Sequence, residues 1–202
     1  MKPPRGLSLI ELLIAMAIGL GLLLTVSSLL VNAMLDRSRE RRQAQLGEMV
    51  DASLSLMAME LRRAGYWRDD GKANPYGQLF IEEDGQCLRY AYDAPPGSAD
   101  RSQRYFAFRL RYQGKPAYRR GVLQRLASDQ AGWSCLAADK EWSALSALDI
   151  GQVESLRFSE EADDRGIGIA LQAAAPLPRG ERVTLAIRTS VALRNRPQVV
   201  QP

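Results

Sequence analysis

The side chains able to do chemistry are few and unevenly placed. Glu11 is a single carboxylate at the head of an apolar run that continues, with no further charge, from Leu12 to Leu35. An unpaired acid inside a membrane helix costs about 2–3 kcal/mol on insertion scales. Glu11 is therefore expected either to find a cation or to snorkel to headgroups at the membrane face. Cys87 and Cys135 are the two cysteines, and both lie far beyond the apolar run. In an oxidising compartment they are expected to join, a loop closure worth about 4 kcal/mol in the chain-entropy model; in a reducing one they are two core thiols. Histidine is absent. Its absence removes the usual general base near neutral pH, the Ser-His and Cys-His nucleophile pairs and the commonest zinc ligand. The remaining candidates are acidic clusters at Glu82-Glu83-Asp84, Glu160-Glu161 and Asp163-Asp164. Asp163-Asp164-Arg165-Gly166 offers oxygens to calcium but lacks EF-hand spacing, so solvated turn acids are the expectation. No cofactor, no metal and no enzymatic activity are expected.

The first requirement is an element that carries Glu11. About 20 apolar residues at 1.5 Å each cross the hydrocarbon core of a bilayer, and the uncharged run exceeds that. Three readings compete for such a segment: an ordinary signal peptide cut after Ala33 in Val31-Asn32-Ala33, an uncleaved signal anchor, and a short leader cut near Gly6. The run is longer than a signal-peptide core and opens on an acid, which speaks against the first. Counting basic residues does not orient the span, because Lys2 and Arg5 face Arg37, Arg39, Arg41 and Arg42 on the other flank. That second group is interleaved with Asp36 and Glu40, as on a solvated helix face beside headgroups. The formal net charge of +4 is too balanced to imply a nucleic-acid partner. Gly19 and Gly21 read as tolerated membrane glycines or as points of close helix approach.

Past the apolar run, Leu46, Val50, Leu54 (or Ser53), Met57, Leu61 and Ala64 recur at helical intervals, with charged residues between them. No proline intervenes before Pro75. The helix is expected to continue from about Ser8 to Ala64, roughly 85 Å at 1.5 Å per residue, with Gly65 as its C-cap. The texture then changes to period-two runs: Leu88, Tyr90, Tyr92, then Phe106, Phe108, Leu110, Tyr112. Further strands are expected at Leu79–Glu83, Tyr118–Leu126, Val153–Ser159, Ile167–Ala173 and Arg182–Leu193. Asp93–Gln103, with Pro95-Pro96-Gly97-Ser98, and Ala174–Gly180 read as exposed connections. A long helix on a mostly antiparallel sheet is an α+β fold. Tyr66, Trp67, Trp133 and Trp142 are expected to be packing residues rather than an adhesive surface.

The residues around Gly6 separate the three readings of the N-terminus. Lys2-Pro3-Pro4-Arg5-Gly6-Leu7-Ser8-Leu9-Ile10-Glu11-Leu12 is a short basic leader, a glycine, and an apolar helix with one carboxylate five residues on. This resembles the type IV prepilin motif, with Leu7 where the family usually has phenylalanine. Glycine lets the backbone extend into a protease cleft, and Pro3-Pro4 keeps the leader out of the helix. The resemblance implies cleavage between Gly6 and Leu7 by a prepilin peptidase, N-methylation of Leu7, and a pilin-like fold. It also implies that Glu11 pairs with the N-terminal amine of a neighbouring subunit. Residues 1–6 are then the leader, 7–35 the transmembrane and assembly helix, 36–65 its amphipathic continuation and 66–202 a periplasmic β-rich head.

Further runs extend the resemblance across most of the chain. Ser8-Leu9-Ile10-Glu11-Leu12 followed by Ala15-Met16-Ala17-Ile18-Gly19-Leu20 is shared by many pilins and pseudopilins. It is Glu60-Leu61-Arg62-Arg63-Ala64-Gly65-Tyr66-Trp67 and Val191-Ala192-Leu193-Arg194-Asn195-Arg196 that narrow it, and together with Val153-Glu154-Ser155-Leu156-Arg157-Phe158 these runs are similar to the PilW family of minor pilins. That implies low copy number, a part in priming assembly at or near the pilus tip, and motility and adhesion as indirect results. The implied partners are other minor pilins, the major pilin, the prepilin peptidase and the inner-membrane assembly platform. The implied location is the bacterial inner membrane, single-pass with the head in the periplasm, then the pilus. The J-type minor pseudopilin of type II secretion shares leader, helix and β-rich head and is the alternative.

Overall fold

The computed structural model describes residues 8–68, 72–93, 104–115, 118–162 and 166–201. Gly6, Leu7, the Pro95–Ser98 run and Asp163–Arg165 lie outside them. Contacts divide the chain into two units, Met1–Arg41 and Arg42–Pro202.

One helix, α1 (Leu9–Leu61, 53 residues), begins in the first unit and ends in the second. Its first part is long and apolar enough to cross a membrane. Large apolar side chains there stand open, Leu9 at 76% and Leu24 at 72% exposure, which is the all-round apolar surface expected of a helix solvated by lipid or by other helices. The polar side chains of this part bond inward. Thr25 Oγ1 donates to the Leu22 carbonyl and Ser28 Oγ to the Thr25 carbonyl, each at 2.8 Å. Such bonds satisfy hydroxyl groups where no water is available. A Cβ on Gly19 or Gly21 would meet nothing within 4 Å in this chain.

In the second unit α1 turns amphipathic. Leu46, Val50, Ser53, Leu54, Met57 and Leu61 are buried, as their spacing predicts, and Ala64 beyond them is buried too. The helix ends at Leu61, three residues earlier than expected, because its last turn tightens. Arg63 and Ala64 N–H reach back three residues, to Glu60 and Leu61. Gly65 then takes φ +77°, and its N–H donates to the Ala91 carbonyl at 2.8 Å. The left-handed glycine expected here is present, but it lies four residues past the helix end and bonds to β2 instead of capping the helix carbonyls.

Among the described residues nine strands follow: β1 (Gln78–Glu82), β2 (Cys87–Ala91), β3 (Tyr105–Gln113), β4 (Arg120–Ser128), β5 (Trp142–Ala144), β6 (Gln152–Glu160), β7 (Gly166–Pro176), β8 (Arg182–Ala192) and β9 (Gln198–Val200). They form two sheets, ordered β5-β4-β3-β2-β1-β9 and β6-β7-β8. Every described pairing is antiparallel except that of β1 with β9. The architecture is the expected α+β, with one long helix and a mostly antiparallel head. The three-residue strands β5 and β9 are too short to show alternation. Ala174–Pro176, expected in a connection, extends β7 instead, because Ala174 and Ala175 are buried against the core.

Period two gives each strand two faces, and the larger sheet uses both. Ile81, Leu88, Tyr90, Phe106, Phe108 and Leu123 point into the main core with α1 and the inner side chains of β6 to β8. Cys87, Ala107 and Leu126 point the other way, into a small second core with Cys135 and Trp142.

The sheets approach each other closely at one point. A Cβ placed on Gly121 of β4 would lie 2.0 Å from the Val153 carbonyl oxygen of β6. That neighbour is backbone and cannot swing aside. Gly121→Ala is expected to destabilise the head by about 3 kcal/mol, whereas Gly47→Ala, in open space on α1, should stabilise it by up to about 1 kcal/mol. Urea unfolding of the detergent-solubilised chain, followed by near-UV circular dichroism, checks both.

Candidate functional site

The first residues of α1 form a local structure around Glu11. Ser8 directly precedes the helix, and its backbone N–H donates to Glu11 Oε2 at 2.9 Å. This is the carboxylate half of a capping box, in which the third helical residue reaches back to the N-cap. The helix dipole favours an anion at this end. One amide bond leaves a carboxylate with acceptor capacity to spare, so Glu11 can cap its own helix and still accept a cation. Glu11 is exposed.

A second acid, Glu60, is 4% exposed near the other end of α1. Tyr92 Oη donates to Glu60 Oε2 at 3.0 Å and Tyr90 Oη at 3.3 Å, both hydroxyls reaching it from the β2 side. Arg125 of β4 lies 3.6 Å from the same oxygen, and Arg63 lies 3.8 Å from the other. The two tyrosines stack with Phe106, at 4.5 Å between ring centroids for Tyr92. Burial, then the Glu60 charge, pushes the Tyr92 hydroxyl up to about 12, and the same causes raise Tyr90 well above its usual value. A hydroxyl whose folded-state pKa is raised contributes stability that is intact below the unfolded value and disappears as pH climbs through the folded one. The melting temperature of the wild-type chain should therefore fall steadily from about pH 10 toward pH 12. In Tyr92→Phe that fall should be shallower.

The end of α1 is held from far along the chain. Asn195 Nδ2 donates to the carbonyls of Arg63 (3.2 Å) and Ala64 (3.1 Å), the latter 131 residues away. The Pro197 ring lies against Gly65, where a Cβ would come within 3.1 Å. The runs Glu60–Trp67 and Val191–Arg196, distant in sequence, thus meet at one spot.

The third construction lies on the outer face of the larger sheet. Cys87 and Cys135 are joined in a disulfide with Cα atoms 6.2 Å apart. The joined pair pins the stretch from Asp129 to Glu141 over β2, β3 and β4. Arg109, 4% exposed, is the second pin. It donates to Gln124 Oε1 and the Cys135 carbonyl, each at 2.9 Å, pairs with Asp139, and lies 4.0 Å over the Trp142 ring. Burial lowers its pKa and Asp139 opposes that shift. Trp133 Nε1 donates to the Phe106 carbonyl, and Arg89, paired with Glu82, sits between the Phe80 and Trp133 rings. Cys135→Ser is expected to cost about 4 kcal/mol in the chain-entropy model. Thermal unfolding with and without reductant checks this: reductant should lower the wild-type transition and leave the variant unchanged.

Trp133 and Trp142 are thus committed to packing, as are Tyr66 against the main core and Trp67 edge-on to Tyr76 at 5.5 Å. Among the described residues no group of three or more acidic or thiol side chains is placed to hold a metal ion. Glu83 and Asp84 sit exposed in a turn with φ near +54°. Sequence reasoning missed Glu60 and Arg109 as organising residues. Glu60 left a signal, an acid on the apolar face between Met57 and Leu61, whereas Arg109 looked like any outward residue of an alternating strand.

Residues 39–200 match the family model described as prepilin peptidase-dependent protein B, and residues 1–27 match the prokaryotic N-terminal methylation motif. No curated protein and no solved structure matches the chain.

Proposed function

Because the chain belongs to the family of prepilin peptidase-dependent protein B, we propose that it is a minor pilin of a type IV pilus, acting in priming assembly at or near the tip. The observation that carries this reading is an exposed apolar helix with one carboxylate in its first turn, inside a matched methylation motif. In the proposal residues 1–6 are the leader, prepilin peptidase cuts between Gly6 and Leu7, and Leu7 is N-methylated. Residues 7–35 hold the subunit in the inner membrane and later in the filament. The head lies in the periplasm, a location that the Cys87–Cys135 disulfide supports, since disulfides persist in oxidising compartments.

Glu11 has a defined part in this scheme. Cleavage leaves a new ammonium at Leu7 of each subunit, and the Glu11 carboxylate of one subunit pairs with the ammonium of the next, setting axial register. The attraction is worth about 4 kcal/mol at close range under partial burial, before desolvation. The resemblance to PilW proteins supports low copy number and the company of other minor pilins, the major pilin and the assembly platform.

Intact mass and N-terminal sequencing of the filament-associated protein test the reading. A chain beginning at methylated Leu7 is expected. A chain beginning at Met34 or Met1 would replace the prepilin account with signal peptidase cleavage or an uncleaved anchor. A deletion strain that twitches normally but fails to export proteins would move the chain to type II secretion.

A further inference from the structure

β7 and β8 are the longest strands, at 11 residues each, and β8 stands at the edge of its sheet. It pairs with β7 in unbroken register from Pro176↔Arg182 to Gly166↔Ala192, and no described strand pairs with its other side. The other edges are short or covered. β5 and β9 have three residues each, and β6 runs against β4 at Gly121 and carries a bulge between Val153 and Ser155. Native proteins blunt long edges with prolines, bulges or charges. Between Val183 and Ile187, β8 has none of these.

The side chains of β8 are also incompletely covered. Val183, Leu185 and Ile187 pack on the main core but remain partly exposed, while their β7 partners Ala175, Ala173 and Leu171 are buried. One more strand beside β8 would finish the burial of that row, and its backbone would pair with the open edge.

Charge indicates what such a strand carries. On the opposite face Arg188 of β8, Ala170 of β7 and Arg157 of β6 lie in one cross-strand row. Both arginines are exposed, and neither has an ion-pair partner among the described residues. Arg182, at the start of β8, is already paired with Glu154. The position beside Arg188 therefore suits an acid, since opposite charges across strands stabilise and like charges repel. A second copy of this chain would bring another Arg188 to the same edge.

We infer that β8 is the docking edge for an extended strand from the head of a different pilin-like subunit, with apolar residues beside Val183 to Ile187 and an Asp or Glu beside Arg188. The inference rests on the proposed role as a filament subunit.

The test places a photo-crosslinking residue at Ala186 of the full chain, in cells with the complete filament apparatus, and maps the adduct peptide by mass spectrometry. The expected adduct lies in a strand of another pilin-like head, with a carboxylate within about two residues, and Arg188→Glu lowers its yield at least about fivefold while processing and melting stay unchanged. An adduct on a second copy, on lipid or on an unrelated protein overturns the inference, as does a yield that Arg188→Glu leaves intact. A chain that is cut at Leu7 and reaches the filament without any adduct overturns the docking edge alone. A chain that is neither cut nor incorporated overturns both this inference and the assembly role.

Discussion

Glu60→Ala is expected to remove about 3–5 kcal/mol from the stability of the head, the range seen when one partner of a buried ion pair is deleted. The carboxylate is 4% exposed and gathers groups from α1, β2 and β4. Its loss leaves the Arg125 guanidinium, whose Nε is already buried without a hydrogen-bond partner among the described residues, facing the core with no adjacent acid. Two buried tyrosine hydroxyls lose their acceptor as well, and each unsatisfied group costs about 1–3 kcal/mol. For a domain of this size the melting temperature should drop by about 10 °C or more. Glu60→Gln keeps an acceptor for the tyrosines but removes the charge, so it should lose about half as much. The double variant Glu60→Ala with Arg125→Met removes both charges and should recover part of the loss, because contacting residues are not additive. A melting temperature for Glu60→Ala within about 2 °C of wild type, which is under 1 kcal/mol, would show that the buried network holds nothing together.

The second large effect concerns assembly. Glu11→Val should insert and be processed normally, since removing the acid lowers the insertion cost by about 2–3 kcal/mol. Its ratio of filament to membrane protein should nevertheless fall at least about tenfold, because each 1.4 kcal/mol of lost pairing is a factor of ten. The Ser8–Glu11 hydrogen bond adds a competing explanation, that the helix start simply loses its cap. Glu11→Gln separates the two. Glutamine serves the capping box as well as glutamate does, yet carries no charge. If the charge pair governs assembly, Glu11→Gln fails as Glu11→Val does; if the cap governs it, Glu11→Gln assembles. Immunoblots of sheared filaments against membranes give the ratio, and normal incorporation of Glu11→Val would remove the charge-pair account.

The two acids also show how legibility varies along one helix. Glu11 announced itself because a lone charge in an apolar run has no local explanation. Glu60 sat in a stretch where charged residues are common, and only its phase relative to Met57 and Leu61 set it apart. Its importance depends on Tyr90, Tyr92 and Arg125, which reach it from 30 or more residues away in sequence. Arg109 was less visible still, because an arginine alternating with Phe108 and Leu110 reads as solvent-facing. It is buried because the loop clipped by Cys135 lies over it.

Local patterns settled what local physics controls. Period 3.6 marked the helix and its buried stripe, period two marked the longer strands, and an uncharged run marked the part of the helix long and apolar enough to cross a bilayer. Gly65 was readable as the residue that turns the chain after the helix because a positive φ favours glycine. Tertiary structure alone decided which strands share a sheet, that there are two sheets, and that β8 is left at an edge. It also decided that the outer face of the larger sheet is covered, and that Asn195 and Pro197 close the end of the helix. Each of these depends on residues far apart in the chain meeting after collapse, and neither the spacing of a motif nor its composition encodes which distant backbone will lie against it.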